Sequence, residues 1–232
     1  MKRPAKRLSS PLEHHLGAYA IAASAAGVGM LALAPPGEAK IVYTPAHLVL
    51  EKDTNIVRYL DLNHDGVKDF RLLHAHGSSS RWASSGLFVG GQNGSNRVMG
   101  VNHGGGGYYA SALVAGAKIG PNSRSSKSHP LMASAASPSS WLAGYWANSG
   151  KGVKNRYLGL QFLINGKIHY GWARLNVTVR QYGQGHTIAA VLTGYAYETI
   201  PNKPIIAGRT HGGASLGALA AGASGIHTQG PK

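Results

Sequence analysis

The stretch Tyr157-Leu158-Gly159-Leu160-Gln161-Phe162-Leu163-Ile164-Asn165-Gly166-Lys167-Ile168-His169-Tyr170-Gly171-Trp172-Ala173-Arg174-Leu175-Asn176-Val177-Thr178-Val179 spells out a β-hairpin. Apolar residues alternate on both sides of Asn165-Gly166, a pair suited to the type I′ turn, which needs positive φ at both central positions. A two-residue turn sets Ile164 opposite Lys167 and fixes every pairing behind it. Leu158, Leu160, Phe162, Ile164, Ala173, Leu175, Val177 and Val179 then share one face, a core face. Tyr157, Gln161, Tyr170, Trp172, Arg174 and Asn176 share the other, with Gly159 opposite Trp172.

Outward from the hairpin the chain continues in short strands. Thr187 to Glu198 is a further strand, pairing next in a meander. Upstream, Lys40 to Leu50, Asn55 to Leu62, Phe70 to His74, Leu87-Phe88-Val89 and Arg97-Val98-Met99 read as strands separated by Gly-, Ser- and Asn-rich turns. Tyr108 to Gly120 fits a strand or a short helix, and Pro121 to Ser140 reads as a polar surface loop outside the core. The expected fold is all-β, an antiparallel β-sandwich of jelly-roll type with a calcium-binding loop. It spans residues 40–208, with a Gly/Ala-rich tail over 209–232.

Residues 1–39 read as an export signal. Lys2, Arg3, Lys6 and Arg7 precede an uncharged Ala-rich run from Ala18 to Ala34, and Pro35-Pro36-Gly37-Glu38-Ala39 places small residues at a cleavage site. The alternative is a retained anchor helix, the run being near the lower limit for spanning. With cleavage, no stable membrane span is expected. Of the chain's 23 Lys/Arg and eight Asp/Glu, four and two lie in that segment, so the remainder carries 19 against six and a formal charge of +13. The basic residues are scattered singly, which argues against nucleic acid and fits an anionic envelope or polysaccharide surface. Cysteine is absent, so an extracytoplasmic chain must rely on its core and, in place of disulfides, on a metal clip.

Asp61-Leu62-Asn63-His64-Asp65-Gly66-Val67-Lys68-Asp69 gathers three of those six acids within nine residues. Asp61, Asn63, Asp65 and Asp69 stand at relative positions 1, 3, 5 and 9. Gly66 stands at 6, and Val67 offers its carbonyl at 7, the oxygen-rich spacing a Ca2+ ion takes. Position 12 is Leu72, where a full EF-hand has glutamate, and the flanks are strands. A metal-free Asx-rich turn is the competing reading.

The loop is similar to those of dockerins, thrombospondin repeats and extracellular β-propeller repeats. Together with Tyr157-Leu158-Gly159-Leu160-Gln161-Phe162, His169-Tyr170-Gly171-Trp172-Ala173-Arg174, Gly194-Tyr195-Ala196-Tyr197-Glu198-Thr199 and Ile205-Ile206-Ala207-Gly208, it makes the chain resemble uncharacterised exported bacterial proteins, often found among those bearing proline-glutamate-proline C-terminal sorting signals. That resemblance implies an extracytoplasmic place and no particular activity. Ser215-Leu216-Gly217-Ala218-Leu219-Ala220 looks like a remnant of such a sorting tail, without its Pro-Glu-Pro motif or its closing arginine cluster.

Signals for catalysis are sparse. Gly213-Ala214-Ser215-Leu216-Gly217 matches a nucleophile elbow, but no acid follows it. His74 and His76 share a strand face, as metal ligands or as a solvated strand end. Glycoside hydrolysis needs two carboxylates, and Glu198 has no identifiable partner. Two aromatic patches suit ligand stacking: Tyr170 and Trp172 with Arg174 on one hairpin face, and Trp141, Tyr145 and Trp146 upstream. The favoured reading of the first is a face covered by another sheet, because Leu163 and Ile168 share it and a strand pair apolar on both sides is a buried one. The expected role is therefore a non-catalytic, calcium-braced, envelope- or matrix-associated and adhesive protein, with a lectin-like carbohydrate binder or carbohydrate-active enzyme as the alternative.

Overall fold

The computed structural model describes residues 40–51, 55–78, 83–103, 107–127, 129–137, 141–182 and 185–211. The expected export segment 1–39, most of the tail, the elbow-like Gly213–Gly217 stretch and the sorting-tail remnant lie outside these residues.

The described chain forms strands β1 (Ile41–Leu50), β2 (Ile56–Leu60), β3 (Phe70–Ser78), β4 (Ala83–Gly91), β5 (Arg97–Asn102), β6 (Tyr108–Ala110), β7 (Lys118–Ile119), β8 (Ser125–Ser126), β9 (Leu131–Ser137), β10 (Leu142–Ala143), β11 (Val153–Ile164), β12 (Lys167–Tyr182), β13 (Gly185–Glu198) and β14 (Ile205–Ile206). Among the described residues, no helix is long and apolar enough to cross a membrane. The expected hairpin is β11–β12. Asn165 and Gly166 sit at φ of 50° and 73°, and Ile164 pairs with Lys167, Gly159 with Trp172 and Leu158 with Ala173. β13 pairs along β12 as the meander requires.

All-β architecture is thus present, but the two separate layers of a sandwich are not. Twelve strands make one mixed sheet in the order β1-β13-β12-β11-β5-β6-β9-β4-β3-β2, with β10 and β8 attached at β9 and β5. The sheet curls until its edge strands β1 and β2 approach each other and β13 faces β4 and β9 across the interior. One pair, β6 with β9, is parallel. A hydrogen bond crosses the interior: the Ile188 N–H donates to Ser85 Oγ at 3.0 Å. Leu158, Leu160, Phe162, Ala173, Leu175 and Val177 of the hairpin fill this nearly closed barrel, packed with Leu60, Leu72, Leu87 and Leu192. Each such leucine, valine or phenylalanine contributes about 1.5–3 kcal/mol by leaving water.

One sequence expectation is corrected here. Pro121 to Ser140 is not a loop outside the core: it contains β9, an inner strand whose Met132, Ala133 and Ala135 are fully buried. On the outer face of the hairpin, the covered reading favoured from sequence agrees with the structure, and the alternative of an open platform does not. Tyr170 and Trp172 are buried, in a second core with Tyr157, Met99, Ile119, Ile205 and Ala207. The small sheet β7–β14 supplies Ile119 and Ile205, paired with each other, and the indole N–H of Trp172 donates to the Arg209 carbonyl at 3.2 Å.

Candidate functional site

The acidic loop joins β2 to β3, and its backbone is folded around its own side chains. The Asp61 carboxylate accepts the N–H groups of Asp65 (3.2 Å) and Gly66 (2.9 Å), Asp65 accepts that of Val67 at 2.8 Å, and Asp69 reaches back to the Leu62 N–H at 2.8 Å. His64 and Gly66 take φ of 60° and 86°, the left-handed values that bend the chain this sharply. Asp69 is almost fully buried. Burial, with Asp61 and Asp65 nearby, pushes its carboxyl up to about 6 despite the Leu62 N–H. Asp65, exposed and bonded to the Asn63 amide and the Val67 N–H, is held below the usual carboxylate range.

Among the described residues no three His, Asp or Glu side chains converge as a ready metal group. The loop's donor set is wider than that, because Asn63 and the Val67 carbonyl belong to it. Asn63 donates its amide N–H to Asp65 at 2.8 Å, which leaves its Oδ1 buried without a partner. An orphaned acceptor among carboxylates is what a hard cation satisfies. Asp61, Asn63, Asp65, Val67 and Asp69 are therefore the residues that would hold Ca2+.

Arg174, expected beside a ligand platform, is committed to its own sheet. Its Nε–H donates to Thr193 Oγ1 at 2.8 Å and an Nη–H to the Thr193 carbonyl at 3.3 Å. With Tyr170 and Trp172 sealed beneath Ile205 and Ala207, these three residues stabilise the fold and present no surface for stacking.

The second aromatic patch is open. β9 pairs β6 at its start and β10 further along, which brings Tyr109 beside the segment after Trp141. That segment turns sharply at Gly144, at φ of 87°, where any Cβ would collide with the Met132 carbonyl, so only glycine fits. The turn sends neighbouring rings to opposite sides. Trp146 goes in, its indole N–H donating to the Ala110 carbonyl at 3.2 Å, so the expected patch loses that member to the core. Trp141 and Tyr145 stay out, 52% and 47% exposed.

Their rings, with His103 and Tyr109, border a cleft of about 330 Å³ floored by Ala143, Gly144 and Ala147, at the lower end of the roughly 300–1,000 Å³ typical of small-molecule sites. His103 stacks on Tyr109 with centroids 4.4 Å apart, and Tyr109 meets Tyr145 edge-on at 6.1 Å. Ser149, from the 3-10 turn Asn148–Gly150, also lines it. Asn148 and Ser149 hold φ of 48° and 51°, a conformation costly for residues with a Cβ and common where a surface must be pre-shaped. Asn148 pins the turn by donating its amide N–H to the Gly152 carbonyl at 3.0 Å. Sequence reasoning found Trp141 and Tyr145 but missed His103, Tyr109 and Ser149, whose only signals are a Tyr-Tyr pair after a glycine run and an Asn-Ser-Gly turn.

The other titratable candidates are occupied. Glu198 is buried, accepts the Ile200 N–H at 3.2 Å and pairs with Lys203 Nζ at 3.7 Å. His74 is no solvated strand end: it is buried, hydrogen-bonded to Ser85 Oγ at 2.9 Å, and burial holds its ring below the usual histidine value. No family model, curated protein or solved structure matches this chain, so its function rests on this geometry.

Proposed function

We propose that this protein is a non-catalytic, extracytoplasmic carbohydrate-binding protein, adhesive towards an envelope or matrix, with Ca2+ bracing its Asp61–Asp69 loop. The observation that carries the reading is the cleft between Trp141, Tyr145, Tyr109 and His103. A pyranose ring offers a flat face of C–H groups, partly positive, that stacks on the negative face of an aromatic ring, while its hydroxyls need polar neighbours at the edge. Half-exposed Trp and Tyr beside His103 and Ser149 supply both. Binding without hydrolysis follows from charge: the sequence has no Asp or Glu between Asp69 and Glu198, and the whole cleft is built from that interval. The paired carboxylates of a glycosidase are therefore not available to it.

Calcium enters this reading as a brace. When bound it supplies positive charge among Asp61, Asp65 and Asp69 and a partner for Asn63 Oδ1. The chain's own residues carry its effect onward, since Asp69 also receives Gln92 N–H and Asn96 amide hydrogen bonds, both at 2.8 Å, on its main-chain carbonyl. The loop thereby ties the β2–β3 and β4–β5 connections together.

Affinity electrophoresis of the full-length chain through gels carrying neutral and acidic polysaccharides tests the proposal. Retardation by at least one polymer, abolished in Trp141→Ala and in Tyr145→Ala with unchanged circular dichroism, is the expected result. Unretarded migration of the wild type in every gel overturns it.

A further inference from the structure

A second cavity of about 320 Å³ adjoins the aromatic cleft and shares Tyr145 with it. Asn148 lines it, next to the Ser149 that lines the first, so one ring and one strained turn separate two compartments. Its lining differs in kind: Ser111 and Asn148 offer neutral polar groups, Ala112 and Val153 an apolar floor, and Arg156 a charge.

Arg156 owes its position to a β-bulge. The β11–β12 register shifts between Val153 and Arg156. Within the bulge Asn155 takes φ of 50° and its N–H donates to Asn176 Oδ1 at 2.8 Å. Beyond it Arg156 pairs with Leu175, a core-face residue, so Arg156 belongs to the inner face of the sheet where that face runs out at the barrel rim. Bulges commonly re-aim a side chain in this way. Half-buried there, Arg156 has no carboxylate partner among the described residues, whose ion pairs are Arg180–Glu51 and Lys203–Glu198. The surrounding sequence, without an acid from Phe70 to Tyr197, offers none.

We infer that the two compartments bind consecutive units of an acidic oligosaccharide, one sugar stacked on Trp141 and Tyr145 and the next presenting its carboxylate to Arg156. The inference rests on the carbohydrate-binding reading. A guanidinium presents parallel N–H donors in a rigid fork that matches a carboxylate in two-point contact, and its weak hydration makes half-burial cheaper than it would be for lysine. Ser111 and Asn148 are placed for the hydroxyls of that same unit, and the +13 formal charge that remains without residues 1–39 favours encounter with a polyanion.

Isothermal titration of the full-length chain with tetrameric oligogalacturonate and oligomannuronate, each beside its methyl ester, tests this at about 0.15 M salt, where long-range attraction is screened within about 8 Å. Wild type is expected to bind at least one acid about tenfold more tightly than its ester, the scale of one charge-assisted contact. Arg156→Gln is expected to bind both forms at the ester's affinity, with an unchanged melting temperature. Trp141→Ala is expected to weaken both. Equal binding of acid and ester by wild type, or an acid preference that survives Arg156→Gln, overturns the inference while the sugar cleft stands. Absence of binding to all four ligands overturns it, and binding to the neutral gels of the preceding experiment then decides whether the cleft takes sugars at all.

Discussion

The chain carries two aromatic clusters of nearly the same composition, and they meet opposite fates. Trp172, Tyr170, Tyr157 and Tyr43 lie on the outer face of strands β11, β12 and β1, with Tyr157 edge-on to Trp172 at 5.2 Å and Tyr43 tilted towards it at 5.8 Å. Trp141, Tyr145, Tyr109 and His103 lie around the cleft. The first cluster is covered because the chain returns over it twice, as β7 and as β14 with Ala207 and Arg209; no described segment lies over the second. Residue type does not separate an open aromatic cluster from a core. Later chain, arriving or not, separates them.

The comparison breaks first, and most severely, at Trp172. Trp172→Ala empties a sealed site and should cost about 3–5 kcal/mol of stability, read by denaturant unfolding, while whatever remains folded keeps its polysaccharide retardation. A loss of retardation without loss of stability would mean that the buried cluster, not the open one, meets ligand.

Calcium should act like the buried cluster, on stability alone. Added to chelator-treated protein at about one hundred times its dissociation constant, it should stabilise the native chain by about 2.7 kcal/mol, as a raised melting temperature that Asp65→Ala abolishes. Retardation at a temperature well below unfolding should not change. A melting temperature indifferent to calcium would leave the loop as the Asx-rich turn that its internal hydrogen bonds also describe.

Acid should separate the regions again. Because burial lowers the His74 pKa below its unfolded value of about 6.5, the native state prefers the neutral ring. That stabilisation is complete above about pH 6.5 and is lost as pH falls through the lower folded value, since the unfolded chain takes the proton first. Unfolding free energies at pH 7.5 and 5.5 should therefore diverge more for wild type than for His74→Asn. A difference between the two proteins that does not change with pH would show that His74 does not titrate in this way. The smallest effect on stability belongs to Trp141→Ala, within about 0.5 kcal/mol as for other exposed positions, although the same change should abolish polysaccharide binding.

Much of the fold was legible wherever a local rule fixed it. Asn165-Gly166 determined the hairpin register to the residue, because a type I′ turn admits few sequences and period-two alternation admits one face. β9 was illegible for the opposite reason. Leu131-Met132-Ala133-Ser134-Ala135-Ala136-Ser137 is rich in small side chains and produces no alternation signal, yet small side chains suit an inner strand that faces β13 across the interior. The curl of one sheet in place of two layers depends on pairings between distant segments, β1 with β13 and β6 with β9, that no window of sequence contains. At the candidate site, the acidic spacing of the loop could be read directly, whereas His103 and Tyr109 come beside Trp141 only through β9, and Arg156 reaches the adjoining cavity only through the bulge at Asn155.

The pairing of β1 with β13 also bears on when this protein can fold. Ile41 finds its partner in Glu198 and Leu50 in Ala190, so the first strand stays unsatisfied until nearly the whole described chain has emerged. Contacts this distant in sequence close slowly, and the waiting strand is an edge that another chain could pair with. Pro45, which has no N–H to offer a neighbour, and the register shift between Pro45 and Leu48 interrupt that edge near its middle. They lower the risk of intermolecular pairing during the interval before β13 arrives.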